Sequence, residues 1–303
     1  MRQPPARMHA FATSERFAHL DRKDRDRLEA ISKLDEFGPG EEILAAGHPN
    51  DSICLVVSGL VEVRAKTRRG EVVLCRLGPG DLFGEVEAFA TLPEGVRYLA
   101  SEDTIVRAVP KNPLRHELLA HRNLAVGLLH AYSRSISEKL RAANEIVSRP
   151  DAFAGDGVAM SSGAAERAPH LSEDEAAWLA LLGHELSASP GQPVVEEGEA
   201  TRSFFLVREG ELEVRKKLSG GKDRTLARLG PRDLFGFMAF VDGKPRSASV
   251  IAVTPAQLAK IDPDALEKAT RLNFTVGFKF LGTLCGVLGR TYEETVRQVI
   301  AGS

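Results

Sequence analysis

The sequence has few cysteines, and their placement excludes a disulfide framework. Only three are present among 303 residues, at Cys54, Cys75 and Cys285, with no CxxC pair. An odd number of distant cysteines without metal-ligand spacing favours a reducing compartment. We therefore expect them to be small buried hydrophobic residues.

The chain also lacks a charge excess and a long apolar run. Its 40 Lys and Arg nearly balance 42 Asp and Glu, for a net charge of −2, so composition gives no general argument for binding DNA or an anionic membrane. The amino terminus has no apolar region of signal-peptide length. The most apolar segment, residues 274–288, is interrupted by Lys279 and three glycines and does not reach the roughly 18 apolar residues of a membrane span. These features predict a cytoplasmic protein without membrane contact.

Signatures of catalysis and of metal binding are missing as well. The sequence has no nucleophile elbow and no phosphate loop of the Walker type. Its eight histidines form no HxH pair, and no HxxxH pair is followed by a carboxylate. We expect no metal site and no enzymatic activity.

What the sequence does contain is an internal repeat. Residues 40–63 align with residues 191–214 at an offset of 151, and "LGPGDLFG" at 77–84 aligns with "LGPRDLFG" at 229–236 at an offset of 152. The second copy has therefore gained one residue between these blocks, where "AKTRRGE" faces "KKLSGGKD". Both stretches are polar, basic and contain glycine, which is typical of a hairpin tip.

Each copy predicts the same order of elements. An amphipathic helix leads, at residues 14–37 and 172–185, and short strands with glycines at regular spacing follow. One of the predicted hairpins is "SICLVVSGLVEVRA", residues 52–65. A long helix with an apolar seam closes each copy. The seams are Leu129, Tyr132, Ile136, Leu140, Ala143 and Val147 in the first copy, and Leu281, Leu284, Leu288, Tyr292, Val296 and Ile300 in the second.

This order predicts an α+β fold with two jelly-roll domains (β-rolls), each flanked by helices. We place the first domain at residues 11–147 and the second at residues 170–303. Between them, residues 148–169 are rich in Ala, Gly, Ser and Asp without an apolar period, which favours a flexible linker. We expect no separate output domain after the second copy.

The paired glycines, "GDLFGEVEAF" (80–89), "RDLFGFMAF" (232–240) and "PRSASVIA" (245–252) together resemble the cyclic-nucleotide-binding domain family. That family includes catabolite-activator-type regulators, the regulatory subunit of cyclic-AMP-dependent kinase and cyclic-nucleotide-gated channels. The resemblance implies that a short helix after the FG pair and an arginine hold the cyclic phosphate. It also implies that a glutamate directly after FG accepts a hydrogen bond from the ribose 2′-hydroxyl.

Neither copy keeps both members of this pair. The first has Glu85 after its FG pair but Glu94 at the arginine position, and Arg97 could substitute only if the backbone changes register. The second has Arg246 but Phe237 at the glutamate position. The resemblance implies a set of candidate ligand-binding residues across the two copies. They are Gly84, Glu85, Val86, Arg97, Gly236, Phe237, Met238, Arg246, Ser247 and Ala248.

Other roles for three of these residues stay open at this point. Glu85 could cap the short helix that follows Gly84. Arg246 could be a solvated arginine at a strand end, or it could pair with a local carboxylate. Phe237 could fill the core instead of contacting a ligand.

Three hypotheses for function follow. The first is a regulatory protein, of bacterial type, that senses cyclic AMP, cyclic GMP, cyclic di-GMP or a related anion and signals by protein–protein contact. The second is a ligand-independent scaffold in which the helix seams form a homodimer or partner surface. The third, a DNA-binding regulator, is disfavoured because the chain ends at Ser303 without a helix-turn-helix domain.

Overall fold

The computed structural model describes residues 10–45, 51–149, 172–217 and 223–302. Contacts between Cα atoms divide the chain into two compact units, which we describe separately. The first unit comprises Met1–Ala143 together with Tyr292–Ser303, and the second comprises Asn144–Thr291. The predicted linker lies outside the described residues except for its first two positions, and so does the tip of the second basic hairpin.

The first copy of the repeat folds into short helices, eight strands and a long closing helix. In chain order these are α1 (Ala10–Thr13), a 3₁₀ helix (Glu15–Phe17), α2 (Arg22–Ile31), β1 (Lys33–Phe37), β2 (Glu42–Ala45), β3 (Ser52–Ser58), β4 (Val61–Thr67), β5 (Gly70–Leu77), β6 (Leu82–Phe83), a 3₁₀ helix (Val86–Ala88), β7 (Val96–Ala100), β8 (Thr104–Pro110), α3 (Lys111–Ala120) and α4 (Arg122–Val147).

The second copy repeats this order. Its elements are α5 (Glu173–Ala180), β9 (His184–Ala188), β10 (Pro193–Val195), β11 (Phe204–Glu209), β12 (Leu212–Lys217), β13 (Asp223–Leu229), β14 (Leu234–Phe235), α6 (Phe237–Asp242), β15 (Ser249–Ala252), β16 (Ala256–Ile261), α7 (Pro263–Leu272) and α8 (Phe274–Gly302).

Each copy builds two antiparallel four-stranded sheets with the same connectivity. The first copy has the orders β1-β8-β3-β6 and β2-β7-β4-β5, and the second has β9-β16-β11-β14 and β10-β15-β12-β13. Apolar side chains such as Val207, Leu212 and Leu258 form the core of the second roll. The two-roll α+β fold predicted from the repeat is confirmed.

The predicted hairpin at residues 52–65 is wrong, because β3 and β4 belong to different sheets. β3 pairs with β6 and β8, whereas β4 pairs with β5 and β7. The chain crosses between the sheets at Gly59, which has a φ of +87° and where a Cβ atom would lie 2.5 Å from the carbonyl oxygen of Asp103. Only glycine fits such a left-handed crossing against another backbone. The basic stretch at 64–70 does form a hairpin, since Thr67 pairs with Gly70 across β4 and β5.

The leading helices are shorter than predicted. In the first copy the predicted helix at 14–37 is interrupted before α2, and its last residues form β1, which pairs with β8. Asp21 caps α2 by accepting a hydrogen bond from the Asp24 amide at 2.8 Å, so a new helix begins there. In the second copy the predicted helix at 172–185 ends at Ala180, and His184 already belongs to β9.

The closing helices α4 and α8 confirm both apolar seams. The seam residues are buried in this chain except Ile300, which is half-buried. Because the chain itself covers these faces, the expectation that they serve as dimer or partner surfaces is wrong as stated. No helix within the described ranges is both long and apolar enough to cross a membrane.

The three cysteines are free thiols. Cys54 and Cys285 are buried, as predicted, while Cys75 is half-buried. Burial raises the pKa of the Cys54 and Cys75 thiols to about 12, which keeps both protonated at neutral pH.

Candidate functional site

Strand register fixes which residues of the two rolls are equivalent. Val63 pairs with Tyr98 in the first roll, and Val214 pairs with Val250 in the second. Tyr98 therefore corresponds to Val250. The offset of 152 between the copies thus holds through β7 and β15 without a change of register. Arg97 therefore corresponds to Ser249, and the register change that Arg97 would need does not occur. Counted by the same offset, Glu94 is the sequence counterpart of Arg246.

The glutamate of the first roll is completely buried and paired with a lysine. Gly84, with a φ of +84°, turns the chain so that Glu85 precedes the 3₁₀ helix that begins at the buried Val86. The Lys139 ammonium lies 2.7 Å from Glu85 Oε1 and is itself only 2% exposed. Lys139 also donates hydrogen bonds to the Leu82 carbonyl oxygen at 2.6 Å and to Ser135 Oγ at 2.7 Å. The internal charge of Glu85 is thus balanced from α4.

The hydrogen bonds of Glu85 test the alternative in which it caps the short helix after Gly84. Its side chain makes no capping hydrogen bond, so that alternative is wrong. Glu85 Oε2 is buried and has no hydrogen-bond partner among the described residues. A carboxylate with one oxygen bound to an internal ammonium and one oxygen free is only partly satisfied.

A second acidic group lies close to Glu85 in the same unit. Glu87 Oε1 accepts a hydrogen bond from the Tyr98 hydroxyl at 3.3 Å, and its other carboxylate oxygen has no partner within the described part of the chain. Burial raises the pKa of Glu87, and the nearby charge of Glu85 adds to this effect. Tyr292, on α8, is fully buried, and burial raises its pKa well above the ordinary value, followed by the charges of Cys75, Glu87 and Glu85.

Arg97 lies elsewhere, on the outward face of its sheet. Side chains alternate along a strand, so Arg97 points away from the face that carries the buried Tyr98. Its guanidinium forms an ion pair with Glu71 and lies 3.8 Å from Glu42. The structure therefore does not bring Arg97 together with Glu85.

In the second roll, Arg246 is 4% exposed and bonded only to uncharged acceptors. Its Nη2 donates to the Ser203 carbonyl oxygen at 2.6 Å, its Nη1 to the Gly236 carbonyl oxygen at 2.8 Å, and its Nε to Thr201 Oγ1 at 3.1 Å. Burial lowers the pKa of Arg246, and the more distant charge of Glu199 opposes this effect. Arg246 is therefore neither a solvated strand-end residue nor a member of an ion pair in the described structure.

Among the other candidate residues of the second roll, Gly236 contacts this guanidinium. Gly236 has a φ of +79°, and a Cβ atom there would lie 2.7 Å from Arg246 Nη1, so both conformation and space require glycine. Phe237 is the buried first residue of α6. Ser247 Oγ lies 3.8 Å from Met238 Sδ as a donor, and Ala248 is buried. The structure thus brings Gly236 against Arg246 and Met238 near Ser247.

Lys139 is the partner of Glu85 that sequence reasoning missed. It stands next to Leu140 in the apolar seam of α4, and a lysine beside so apolar a stripe was the available signal. At the offset of 152 its counterpart in the second copy is Thr291. The second copy therefore lacks both the glutamate and the lysine of the first.

Comparison with protein families matches both copies of the repeat to one domain family. The model of the cyclic nucleotide-binding domain matches residues 34–121 and 185–273, more than half of the chain. This chain belongs to the cyclic nucleotide-binding domain family. The two matches correspond to the two rolls.

Among curated proteins the chain is similar to kinase regulatory subunits. It is 26% identical over 256 residues to the cAMP-dependent protein kinase regulatory subunit of Yarrowia lipolytica, covering 83% of this chain and 58% of that protein. It is 34% identical over 107 residues to the subunit of the same name from Mycosarcoma maydis, covering 35% of this chain and 19% of that protein. The chain thus spans little more than half the length of the first relative. Both relatives are eukaryotic and give no support to a bacterial type.

A solved structure of the regulatory domain of Toxoplasma gondii PKA with cAMP is also similar, at 17% identity. The match covers 93% of this chain and 97% of that one, with a TM-score of 0.34.

Within this family, the arrangement makes the two rolls chemically different. The first presents a buried carboxylate that is already paired and an exposed Glu94 where an arginine would meet phosphate. The second presents a buried guanidinium that lacks a counter-ion in the described structure. Guanidinium is the group that binds phosphate oxygens by charge-assisted hydrogen bonds.

Proposed function

We propose that this chain is a regulatory protein whose second roll binds a small anion of the cyclic-nucleotide class at Arg246. Binding repositions the elements around the site, and the signal passes to a protein partner by contact. The chain performs no catalysis of its own. The nucleotides to test first are cyclic AMP, cyclic GMP and cyclic di-GMP.

The observation that carries this proposal is the environment of Arg246. A buried charge is costly unless it is paired, and within the described residues the guanidinium has only neutral acceptors. A phosphate supplied by a ligand would provide the missing negative charge. The lowered pKa of Arg246 reflects the same uncompensated burial.

The first roll supports a single site per chain. A cyclic phosphate would approach Glu94 instead of an arginine, and like charges repel. Glu85 is already engaged by Lys139, which leaves it less available to a ribose hydroxyl. We therefore expect one nucleotide bound per chain, in the second roll.

The relatives support the general class of function. Two are named as regulatory subunits of a cAMP-dependent protein kinase, which makes a cyclic nucleotide the first ligand to test and a protein the first kind of partner. Because the chain spans only part of those proteins, the partner's identity is part of the proposal.

Calorimetry on the full chain tests the proposal directly. We expect one cyclic nucleotide to bind with a stoichiometry of one and to raise the melting temperature. Arg246→Lys should weaken binding at least tenfold, because lysine lacks the planar guanidinium that can bind two phosphate oxygens at once. Arg97→Lys is the matched control and should bind as tightly as the wild type. A stoichiometry of two, unchanged affinity in R246K, or no heat from any of the three nucleotides at millimolar concentration would refute the proposal.

A ligand-independent scaffold is the second candidate, and two observations favour it. Three protein acceptors already hold the Arg246 guanidinium, and Phe237 occupies the position of the ribose-binding glutamate. In this case R246K should lower stability without any binding phenotype. A partner surface would then lie outside the buried helix seams.

A further inference from the structure

Two positions carry opposite charges in the two rolls. β3 and β11 pair with β6 and β14 in the same register, so the offset of 151 holds along β3 and β11. Asp51, before β3, is therefore the counterpart of Arg202, before β11. Glu94 is the counterpart of Arg246 at the offset of 152. The first copy thus has a carboxylate at both positions, and the second copy has a guanidinium at both.

Arg202 is an exposed arginine whose guanidinium reaches α6. Its Nη2 donates a hydrogen bond to the Phe240 carbonyl oxygen at 3.1 Å, and within the described ranges its side chain makes no ion pair. A guanidinium has five N–H donors, so most of those on Arg202 stay available. Because the side chain is exposed, a ligand from solvent can reach them.

The two guanidinium groups bind the same short segment. Arg246 Nη1 donates to the Gly236 carbonyl oxygen at 2.8 Å, and Arg202 Nη2 donates to that of Phe240. These carbonyl groups are four residues apart, which is about 6 Å along a helix axis. Two cationic groups therefore stand about one helical turn apart beside α6.

The other charged groups at this segment leave an excess of positive charge. The set is Arg202, Lys244, Arg246, Glu199 and Asp242, three cations and two carboxylates with a formal charge of +1. Their counterparts in the first copy are His48, Asp51, Ala90, Leu92 and Glu94, with a formal charge of −2 when the histidine is neutral. An anion that meets both positions is therefore favoured in the second roll and repelled in the first.

We propose that the second roll binds a nucleotide with two phosphate groups, one at Arg246 and the other at Arg202. This second contact rests on the function proposed above, and each guanidinium forms charge-assisted hydrogen bonds with one phosphate. Cyclic AMP and cyclic GMP carry one phosphate each and leave Arg202 unused. A separation of about one helical turn, about 6 Å, favours phosphates that a sugar separates, as in a cyclic dinucleotide, over the directly joined phosphates of a nucleoside diphosphate.

Calorimetry on the full chain tests this with cyclic GMP, cyclic di-GMP and GDP, which share a base and differ in their phosphates. We expect cyclic di-GMP to bind at least tenfold more tightly than cyclic GMP. Arg202→Gln should weaken cyclic di-GMP about tenfold and change cyclic GMP less than twofold, because only the dinucleotide uses this side chain. Arg208→Gln, at another exposed arginine of the second roll, is the matched control and should change neither affinity.

The outcomes separate the second contact from the site at Arg246. If cyclic di-GMP binds no more tightly than cyclic GMP, or if R202Q weakens both equally, the second contact is wrong while the Arg246 site stands. If R246K leaves cyclic GMP binding unchanged, or if no nucleotide gives heat, both fail. GDP that binds more tightly than cyclic di-GMP would overturn the separated phosphates.

A charge reversal gives an independent check. Arg202→Asp places the residue type of the first copy at this exposed position, so the melting temperature should stay unchanged. R202D should weaken cyclic di-GMP more than R202Q does, because a carboxylate repels the second phosphate. Wild-type affinity in R202D would contradict the second contact.

Discussion

The two rolls share connectivity and strand register, yet they treat buried charge in opposite ways. The first buries a carboxylate, Glu85, and supplies the compensating ammonium from its own closing helix. The second buries a guanidinium, Arg246, and supplies only neutral acceptors. A fold can thus persist in two copies while the groups that would meet a ligand separate between them. The first roll thus supplies a counter-ion to one oxygen of its buried carboxylate, whereas the second leaves its guanidinium without a counter-ion in the described structure.

The largest expected effect comes from removing the internal ammonium of the first roll. Lys139→Met leaves Glu85 as a buried carboxylate without a cation, and we expect a loss of about 3–5 kcal/mol in the free energy of unfolding. Chemical denaturation measures it. The double variant Glu85→Gln/Lys139→Met should recover much of the loss, because the buried charge is then gone. Thr291→Met, at the counterpart position in the second copy, should change stability far less. Equal losses in K139M and T291M would contradict the asymmetry.

The second expected effect concerns the close contact between Gly236 and the Arg246 guanidinium. Gly236→Ala forces a non-glycine residue to a φ of +79° and places its Cβ 2.7 Å from Arg246 Nη1. The left-handed conformation costs about 1–2 kcal/mol and the forced contact adds about 1–3 kcal/mol. Gly243→Ala isolates the first contribution, since Gly243 has a φ of +67° and no atom within 4 Å of its Cβ position. If denaturation gives the same loss for both variants, the guanidinium does not lie against Gly236.

These cases show why sequence predicted the fold better than the site. Glycines such as Gly236 recur at fixed offsets because backbone geometry requires them, so the repeat revealed both rolls and their register. The Glu85–Lys139 pair joins residues that are 54 positions apart in the sequence. Whether it forms depends on the rotation of α4 about its own axis. Periodicity placed Lys139 on a helix but could not show that its ammonium points inward. The leading helix was overestimated because β1 gains its partner, β8, only in the folded roll.

A third prediction tests whether the second roll can regain the missing member of its pair. Phe237→Glu restores an acceptor at the position of the ribose-binding glutamate, and we expect cyclic-nucleotide affinity to rise about tenfold. Without ligand the variant should melt at a lower temperature, because Thr291 replaces the lysine that balances Glu85 in the first roll. Phe237→Leu removes the ring without adding an acceptor and should show no gain. Calorimetry in which F237E and F237L bind alike would mean that position 237 does not face the ligand.

The smallest expected effect is a pH dependence that belongs to the first roll alone. Burial raises the pKa of Glu87 in the folded protein above its value in the unfolded chain. The folded state therefore holds this proton more tightly, and the stability linked to it is fully present below the unfolded pKa. It is lost as pH rises through the folded pKa, at a rate that cannot exceed about 1.4 kcal/mol per pH unit for one group.

Glu87→Gln should remove that loss. As the pH rises above the ordinary pKa of a glutamate, the free energy of unfolding of E87Q should therefore fall less than that of the wild type. Glu102→Gln, at an exposed position, should follow the wild-type curve. Urea denaturation across this pH range measures the difference, and parallel curves for E87Q and wild type would show that Glu87 is solvated in the folded chain.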